Sequence, residues 1–397
     1  MKILQLSNKS PWPPQEGGPI AMNALINGLQ HDGHEVHILT MSTDKYPVKN
    51  GEIPQEYAAR TNFKSVYVDT RIYIIKAFTN LFSRSSYNIE RFVSADYDVL
   101  LKELLTTNSY DVVILESLFV TPYIAAIRKY SQAKVILRAH NIEHRIWARL
   151  ASATNNPLKK LYLKLLTRRL LRYEKSVLPT VDGIAAITDK DAHFFVEHAG
   201  KARVEVVPFG ILPEQYIFTP QDARNISLCH IGSMDWMPNK EGILWFLEKC
   251  WPGIHQVFPD LQLKLAGRNM PGKIKNHTWP GVEVVGEVDN ARSFITNHPV
   301  MVVPLLSGSG VRVKIIEAMA LGRTIITTTT GAEGIRYNKG EELLIADSPI
   351  AFFEQIKYCV KNPEACARIG ENARRLIETQ HNNLIATAAM LHLIRSV

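Results

Sequence analysis

The sequence predicts an α/β fold with two parallel β-sheets. Short apolar runs rich in Val, Ile and Leu recur along the chain, and amphipathic helical patterns lie between them. Such alternation is typical of parallel sheets whose strands are joined by helical crossovers. The irregular segment 209–225, which holds Gly210, Pro213 and Pro220, divides the pattern into two halves. In a chain of 397 residues this predicts two Rossmann-like domains.

The first half of the chain is predicted to hold seven strands. They are residues 2–7, 35–41, 66–69, 112–117, 134–140, 183–188 and 204–208. Apolar residues three and four positions apart predict helices between several of these strands, including residues 19–31, 88–106 and 157–177. Together these elements form a predicted N-terminal domain, residues 1–210.

The second half repeats the pattern with six predicted strands. They are residues 227–232, 262–267, 282–286, 300–306, 324–329 and 342–346. Helical patterns follow at residues 352–361, 363–379 and 383–396. We expect a C-terminal domain of residues 211–379, with a last helix, residues 380–397, that packs back on the N-terminal domain. Ligands of open α/β sheets bind at the carboxyl ends of strands, so a cleft between two facing domains is the expected site.

Composition and charge narrow the class of protein. A hydrophobic content of 46% and a charged content of 21% are ordinary for a globular protein. The net charge of +8 favours anionic partners, namely nucleotides, an anionic membrane face or nucleic acid. We do not expect nucleic acid, because the basic residues are not interleaved with aromatic residues and no recognition motif is evident. Apolar runs are too short for a membrane span or a signal peptide. We therefore expect a cytoplasmic protein, at most peripheral at the inner membrane face.

The cysteines do not predict a metal site or a disulfide framework. Cys229, Cys250, Cys359 and Cys366 all lie in the second half and show no C-x-x-C spacing. Free thiols in a reducing compartment are the expected state. The segment 140–144, His-Asn-Ile-Glu-His, differs from the H-E-x-x-H motif of zinc proteases, and we infer no metal from it.

The most informative stretch is residues 300–334. An apolar strand breaks into Ser307-Gly308-Ser309-Gly310, and a helix is predicted over residues 311–321. A glycine-rich turn before a helix presents free backbone N–H groups and the positive end of the helix dipole to an anion. Arg312 and Lys314 stand in the first turn, where the dipole disfavours cations unless an anion binds there. The alternative is a plain tight turn of a doubly wound sheet.

Two further groups of residues follow predicted strands. Gly17 and Gly18 follow the first strand and precede a helix, where a missing Cβ lets the backbone approach a ligand. The alternative there is a proline-stiffened loop. His140 ends the strand 134–140, at the strand end where such folds carry out chemistry. A lone histidine is more often a packed or surface residue, but a second histidine and a glutamate follow closely.

The helix 157–177 is the most basic in the chain. Lys160, Lys164, Arg168 and Arg172 recur every four residues and form one positive stripe, whereas apolar residues from Leu158 onward lie largely on the other side. One interpretation is a helix that packs on the core and has a solvated face. The other is that the stripe faces anionic lipid head groups, at ~1 kcal/mol per basic residue.

Two nucleotide signatures are incomplete. Residues 267–273 match G-x-x-x-x-G-K, but Ile274 stands where Ser or Thr would hold magnesium, and no helix is predicted after them. Gly308 and Gly310 are followed by Val313, where a dinucleotide fingerprint requires its third glycine. A P-loop ATPase and an NAD enzyme are therefore disfavoured.

With these residues in place, the chain resembles the retaining glycosyltransferases of the GT-B fold, family 4. The resemblance covers essentially the whole length. Its most specific part is GSGVRVKIIEAMALGRTIITTTTGAEGI, and EGGP, RAHNIEHRIW, VDGIAAIT, VVPFGI and HIGSMDWMPNKEGILWF support it. It implies two Rossmann-like domains that face each other across a cleft. It also implies transfer of a sugar, with retained configuration, from a nucleotide diphosphate sugar to a polysaccharide or lipid-linked acceptor.

The resemblance also implies roles for individual residues. Glu317 would hold the ribose hydroxyls, the amides near Ser309 and Gly310 would meet the diphosphate, and Gly17 and Gly18 would approach the phosphates or the acceptor. His140 would lie beside the transferred sugar. No metal and no other cofactor are expected, because cationic side chains and helix dipoles carry the charge of the leaving group in such enzymes.

The sequence departs from the family pattern at two points. Many relatives carry two glutamates eight positions apart, but position 309 is serine here. Relatives also often place Arg and Lys after the first strand of the second domain, where this chain has Gly232 and Ser233. We predict that Arg312 and Lys314, with Arg268, supply the missing positive charge. The departures leave two alternatives open, a sugar-nucleotide epimerase of GT-B fold and a non-catalytic scaffold that binds sugar nucleotides.

Overall fold

The computed structural model describes residues 1–49, 51–83, 85–221, 226–308 and 310–397. It divides the chain into two compact units. Unit 1 comprises Met1–Ile211 and Asn383–Val397, and unit 2 comprises Leu212–Asn382.

Unit 1 is built on a parallel sheet of seven strands. The strands are β1 (Lys2–Ser7), β2 (Glu35–Ser42), β3 (Lys64–Tyr67), β4 (Val112–Leu115), β5 (Lys134–Ala139), β6 (Gly183–Ala186) and β7 (Arg203–Val206). Their order is β3-β2-β1-β4-β5-β6-β7, so the direction of winding reverses between β1 and β4. The register pairs Ile3 of β1 with Val36 of β2 on one side and with Val112 of β4 on the other.

The helices of unit 1 lie between these strands in sequence. They are α1 (Gly17–His31), α2 (Gln55–Arg60), α3 (Ile74–Asn80), α4 (Tyr87–Glu90), α5 (Ala95–Thr107), α6 (Ile124–Tyr130), α7 (Glu143–Ala153), α8 (Pro157–Val177) and α9 (Asp189–His198). Alternate strand residues enter two separate apolar clusters: Leu4 and Val113 lie in one, and Ile3 and Val112 in the other. Both faces of the sheet are therefore buried, as expected of a doubly wound fold.

Unit 2 repeats the architecture with a parallel sheet of six strands. The strands are β8 (Leu228–Ile231), β9 (Leu263–Ala266), β10 (Val282–Gly286), β11 (Val300–Val303), β12 (Thr324–Thr327) and β13 (Leu344–Ile345). Their order is β10-β9-β8-β11-β12-β13, and the winding reverses between β8 and β11. The helices are α10 (Met237–Lys249), α11 (Trp251–Val257), α12 (Gly272–Lys275), α13 (Ala291–Thr296), α14 (Val313–Ala320), α15 (Pro349–Lys361) and α16 (Pro363–Gln380).

The last helix, α17 (Asn383–Arg395), belongs to unit 1, where it packs against α1. The approach is close: a Cβ on Gly28 of α1 would lie 2.0 Å from Thr387 Oγ1. Asn383 N donates to Ile211 O at 2.7 Å, which fixes the start of the helix to the end of the first chain segment of unit 1.

Several predicted elements need correction. The helix predicted over residues 88–106 is two helices, α4 and α5, because Ser94 caps a new start by accepting from Tyr97 N at 3.4 Å. The predicted helix 311–321 begins two residues later, at Val313. A single helical turn, α12, occurs after Gly267, where none was predicted.

Strand ends differ as well. The strand predicted over residues 112–117 ends at Leu115, and the one predicted over 300–306 ends at Val303. The strand predicted over 66–69 occupies Lys64–Tyr67. Polar and glycine residues that the sequence assigns to strand ends therefore lie in the loops beyond them.

Two general features remain. All four cysteines are buried free thiols. Among the helices in the described ranges, none combines the length and the apolar character that spanning a bilayer requires.

Candidate functional site

Each unit carries a cluster of polar and glycine residues at the point where its strand order reverses. In unit 1, Lys9 follows β1 and Glu116 follows β4. In unit 2, Gly232 follows β8 and the turn 307–310 follows β11. Open α/β sheets bind ligands at such positions because the loops from neighbouring strands diverge there and leave a crevice.

The turn of unit 2 depends on glycine. Gly308 has a φ of 124° and Gly310 a φ of 75°, both in the left-handed region that side chains with a Cβ avoid. Ser309, a predicted donor-binding residue, lies outside the described residues. Arg312 has extended backbone angles and caps α14, which begins at Val313. The first N–H groups of α14 therefore start directly after the turn, as an anion site requires.

Arg312 holds this turn in place. Its guanidinium donates from Nη1 to Gly310 O at 2.6 Å and from Nη2 to Thr330 O at 3.4 Å. It also lies over the ring of Trp236, 5.6 Å from the centroid, and the residue is only 4% exposed. The side chain thus has a structural role whether or not it also meets a ligand.

Lys314 reaches the end of β8. Its Nζ donates to Asn239 Oδ1 at 2.7 Å and to Ile231 O at 3.2 Å. Asn239 in turn donates from Nδ2 to Ser233 O at 2.9 Å. A Cβ on Gly232 would lie 3.0 Å from the ammonium nitrogen. The cation that the sequence lacks after the first strand of this domain is therefore delivered by α14.

Burial lowers the pKa of Lys314 to about 7, and the neighbouring Arg312 lowers it further in the same direction. Both acceptors of the ammonium are neutral oxygens, which stabilise the charged form less than a carboxylate would. An anion placed at this position would restore the usual charge state of the lysine.

These partners change the argument made from the sequence. Arg312 and Lys314 both donate to protein oxygens, so an anion is not needed to account for two cations at the start of a helix. Their contact with a diphosphate stays a prediction. It now rests on their position at the reversal of strand order rather than on an unfavourable helix dipole.

Gly267 and Arg268, after β9, border the same place. A Cβ on Gly267 would lie 1.9 Å from Gly232 O, so only glycine lets the two loops touch. Met234 N donates to Arg268 O at 3.0 Å, and the Arg268 side chain is exposed. The structure therefore brings Gly232, Ser233, Arg268 and Lys314 together, as the sequence predicted them to be.

Glu317 lies one turn further along α14, half-buried. Its Oε1 accepts from the Tyr216 hydroxyl at 3.0 Å, and the Arg292 guanidinium lies 4.2 Å from the centroid of the Tyr216 ring. Burial raises the pKa of Glu317, whereas Tyr216 and Arg292 oppose that rise. Sequence reasoning missed both neighbours, since they come from segments distant from residue 317.

The cluster of unit 1 is centred on Glu116, which is fully buried. Its carboxylate accepts from His140 Nε2 at 2.7 Å and from Arg138 Nη1 at 3.2 Å. Burial opposes ionisation, but Arg138 and His140 hold the pKa of Glu116 below its usual value. Burial also lowers the pKa of His140, so the imidazole is neutral near pH 7.

This geometry fixes the tautomer of His140. An ionised carboxylate only accepts hydrogen bonds, so the proton of the neutral ring lies on Nε2, between the ring and Glu116. Nδ1 is then an acceptor. Sequence reasoning found His140 but missed Glu116, although Glu116 is a polar residue directly after a buried strand.

Lys9, Gly17 and Gly18 lie near the same edge of unit 1. A Cβ on Gly18 would come within 2.8 Å of Lys9 Nζ, so the missing side chain makes room for the lysine. Gly17 is the first residue of α1. Burial lowers the pKa of Lys9. The sequence gave no sign of Lys9, because a single lysine after a strand is usually a surface residue.

A second carboxylate pair supports the loop that carries His140. Glu174 of α8 accepts from Glu143 N at 3.0 Å and from His144 Nδ1 at 2.6 Å, and so caps the start of α7. Burial and the neighbouring Glu174 raise the pKa of Glu143 to about 8.

The basic stripe of α8 belongs to neither cluster. Lys164, Arg168 and Arg172 are exposed, whereas Lys160 is half-buried. Leu158, which the sequence assigned to the apolar side, is instead strongly exposed because it lies in the first turn, beyond the packed part of the helix. Over the ranges that the structure describes, no three His, Cys, Asp or Glu side chains converge as a metal site would require.

Two parallel sheets in two Rossmann-like units define an α/β protein of the GT-B type. The model of Glycosyltransferase Family 4 matches residues 17–215, half of the chain, and the model of Glycosyl transferases group 1 matches residues 225–362. The chain therefore belongs to glycosyltransferase family 4.

Solved structures share the fold. Sucrose-phosphate synthase from Thermosynechococcus elongatus is 16% identical with a TM-score of 0.73, and the match covers 100% of this chain and 99% of that one. HepE from Anabaena, solved in complex with UDP, is 13% identical with a TM-score of 0.66, and both chains are fully covered. TarM from S. aureus, solved with fondaparinux, α-GlcNAc-glycerol and UDP, is 11% identical with a TM-score of 0.67 over 99% of this chain and 100% of that one. At these identities the likeness concerns the fold alone.

One curated relative is similar over nearly the whole length. It is described as an uncharacterized 44.6 kDa protein in the cps region of Klebsiella pneumoniae. It is 24% identical over 398 residues, which cover 96% of this chain and 97% of that protein.

Proposed function

We propose that this glycosyltransferase moves a sugar from a nucleotide diphosphate sugar to a polysaccharide or lipid-linked acceptor, with retention of configuration and without a metal ion. The observation that carries the proposal is the cluster of unit 2. There a glycine turn and the amino end of α14 lie beside Lys314, whose Nζ contacts the end of β8. Backbone N–H groups and one ammonium suit a diphosphate.

The similar proteins support the choice of substrates. HepE has been solved with UDP-glucose and with UDP and glucose, and TarM with UDP and a GlcNAc-glycerol. The relative of Klebsiella pneumoniae lies in the cps region. UDP-sugars are therefore the donors to test first, and a surface polysaccharide precursor is the acceptor we favour.

The reaction requires little covalent chemistry from the protein. The bond between the anomeric carbon and the β-phosphate oxygen breaks, and a bond forms between that carbon and an acceptor hydroxyl oxygen on the same face. The hydroxyl proton passes to the departing phosphate oxygen. Catalysis then consists of positioning and of stabilising the charge of the leaving diphosphate, which we assign to Lys314 and the first turn of α14, with Arg268 and Arg312 nearby.

Two other residues keep the roles that the family resemblance implies. Glu317 holds the ribose hydroxyls, and its contact with Tyr216 fixes the direction of its carboxylate. His140 acts beside the transferred sugar. With its proton on Nε2, it offers Nδ1 as an acceptor for a sugar hydroxyl.

The test is incubation of the purified protein with UDP-, GDP- and ADP-sugars, first without acceptor. Slow release of nucleoside diphosphate from one donor supports a transferase, and NMR of the product formed with an acceptor reports the anomeric configuration. Unchanged activity in EDTA supports metal independence. Conversion of the donor sugar without release of nucleotide would indicate the epimerase instead, and binding without turnover would indicate a scaffold.

A further inference from the structure

Unit 1 has a second surface feature, on α3, α7 and α8, that the proposed reaction does not use. The exposed face of α8 carries two leucines followed by four cations. Its members are Leu158, Leu161, Lys164, Arg168, Arg172 and Lys175, and all six are exposed. Their spacing of three or four residues places them on one side of the helix. We name these six residues the α8 face.

The apolar end of the α8 face is strongly exposed. Leu158 is 79% exposed and Leu161 is 68% exposed. Helix α7, which packs against α8, adds Ile146 and Leu150 near the same end, with the exposed Arg149 between them in sequence. Large apolar side chains gathered at the end of a helical hairpin are unusual for a surface that meets only water.

A second apolar group lies beside the middle of α8. Ile75 is 79% exposed and Phe82 is 82% exposed, and Phe78 packs edge-on against Phe82 with ring centroids 5.7 Å apart. We name Ile72, Ile75, Phe78 and Phe82 the α3 patch.

A buried arginine joins this patch to the helix. Arg169 of α8 donates from Nη1 to Asn80 O at 2.6 Å and to Asn80 Oδ1 at 2.9 Å, and from Nη2 to Leu81 O at 2.8 Å. Phe78 and Phe82 are therefore held next to α8 by three hydrogen bonds from a charged group, which are stronger than neutral ones.

The cations of the α8 face have no acidic partners. Among the described residues, no ion pair involves Lys164, Arg168, Arg172 or Lys175. Unpaired cations next to exposed Leu and Phe side chains are typical of helices that lie in the interface of an anionic bilayer, where head groups neutralise the charge and the acyl region takes up the apolar side chains. Nucleic acid would account for the cations but not for the apolar side chains.

We propose that unit 1 docks on an anionic lipid surface through the α8 face and the α3 patch. The cations contact phosphate head groups, and Leu158, Leu161, Phe78 and Phe82 enter the outer part of the bilayer. This inference is independent of the proposed reaction, because hydrolysis of a soluble donor needs no membrane.

The first experiment is co-sedimentation of the full-length protein with vesicles of equal parts phosphatidylglycerol and phosphatidylcholine, and with phosphatidylcholine alone. A triple variant of the stripe, Lys164→Ser, Arg168→Ser and Arg172→Ser, is compared with a control that also removes three positive charges. The control changes the exposed Lys129, Lys134 and Lys201 to Ser, at or near the amino ends of β5 and β7. We expect the stripe variant to lose at least about tenfold in partitioning and the control to stay within about twofold.

The second experiment measures insertion. Phe82→Cys, labelled with an environment-sensitive fluorophore, is compared with labelled Lys201→Cys; the four native thiols are buried and label slowly. We expect the label at position 82 to brighten on anionic vesicles and the label at position 201 to stay unchanged. The Phe78→Ser, Phe82→Ser double variant should lose the binding that remains in high salt, where charge contacts are screened.

Three results would overturn the proposal. They are wild-type protein that does not bind anionic vesicles, equal losses in the stripe and control variants, and self-association without lipid that the Phe78→Ser, Phe82→Ser variant abolishes. The last result would mean that a second copy covers the patch. Circular dichroism and donor hydrolysis in solution verify that each variant is folded, and failure of donor hydrolysis in the wild type would count against the proposed function only.

Discussion

The clusters of the two units occupy equivalent points of similar sheets but handle charge differently. In unit 1, Glu116 lies between Arg138 and His140, so opposite charges and a proton donor compensate one another inside the protein. In unit 2, the ammonium of Lys314 donates to the neutral oxygens of Asn239 and Ile231. The first arrangement fixes the orientation of a side chain, whereas the second leaves a cation whose charge an incoming anion would stabilise. The predictions below test this difference, from the largest expected effect to the smallest.

Removal of the Lys314 ammonium should have the largest effect. Lys314→Ala should lower turnover by about 10²-fold or more, comparable to the loss of a group that stabilises transition-state charge. The measurement is the initial rate of donor hydrolysis or transfer at saturating donor. Lys240→Ala, which changes the nearest lysine in the chain after β8, is the matched control. Full activity in Lys314→Ala would remove the basis of the assignment.

Glu116→Gln should separate orientation from binding. Without the carboxylate, His140 is no longer held as the Nε2–H tautomer, and we expect kcat to fall by about 10- to 100-fold. The dissociation constant for the nucleoside diphosphate should stay unchanged, because Glu116 and Arg138 lie in unit 1 and the cation that we assign to the diphosphate lies in unit 2.

Calorimetric binding and a pH–rate profile measure the two parts of this prediction. An acidic limb displaced from that of the wild type is the expected signature of an altered His140. A Glu116→Gln variant with wild-type kcat and an unchanged pH profile would contradict a positioning role. The thermal midpoint must be followed in parallel, because a buried Arg138 that has lost its carboxylate destabilises the fold.

The pKa of Lys314, lowered to about 7, predicts how nucleotide binding depends on pH. In the free protein the lysine is charged below pH 7 and neutral above it, whereas a bound diphosphate favours the charged form. Affinity should therefore fall as pH rises above 7, by up to about tenfold per pH unit, with uptake of a proton on binding. Calorimetry in buffers of different ionisation enthalpy measures that proton. Lys314→Met should remove the dependence, and an affinity that stays level between pH 7 and 9 in the wild type would refute it.

The smallest effect concerns stability. The pKa of Glu143 is raised to about 8 from a usual value of 4.5, so the folded state favours the protonated carboxyl. The resulting stability is full below the unfolded pKa and is lost as pH rises through 8. Glu143→Gln cannot ionise, and its Tm should exceed that of the wild type by about 2–4 °C at pH 8.5. The difference should shrink at pH 5.5, and an equal difference at both values would mean that packing, not ionisation, causes it.

The fold was largely predictable from local patterns. Each of the thirteen predicted strands overlaps a strand of the structure, because Val, Ile and Leu runs bounded by polar or glycine residues are strong signals. Errors fell at boundaries. Segment 88–106 has the periodicity of one long helix, but the Ser94 cap with Asp96 and Asp98 behind it starts a second one.

The candidate site was predictable only in part. Glycine positions such as Gly232 and Gly310, and Lys314 itself, were found because a backbone turn and a helix start are written locally in the sequence. Their partners were not: Asn239 lies 75 residues from Lys314, and Tyr216 lies 101 residues from Glu317. No periodic pattern connects residues at such separations, so only the packing of loops from different strands identifies the pairs.

The sequence by itself determined two parallel sheets, the glycine turn before α14 and the basic stripe of α8, since each follows from the spacing of residues close together in the chain. The tertiary structure decided which charges are compensated. It set Glu116 between Arg138 and His140, gave Lys314 neutral partners and left the α3 patch exposed. The physical reason is that burial and charge pairing depend on which distant segments meet, and loop residues meet only after strand order has brought their strands side by side.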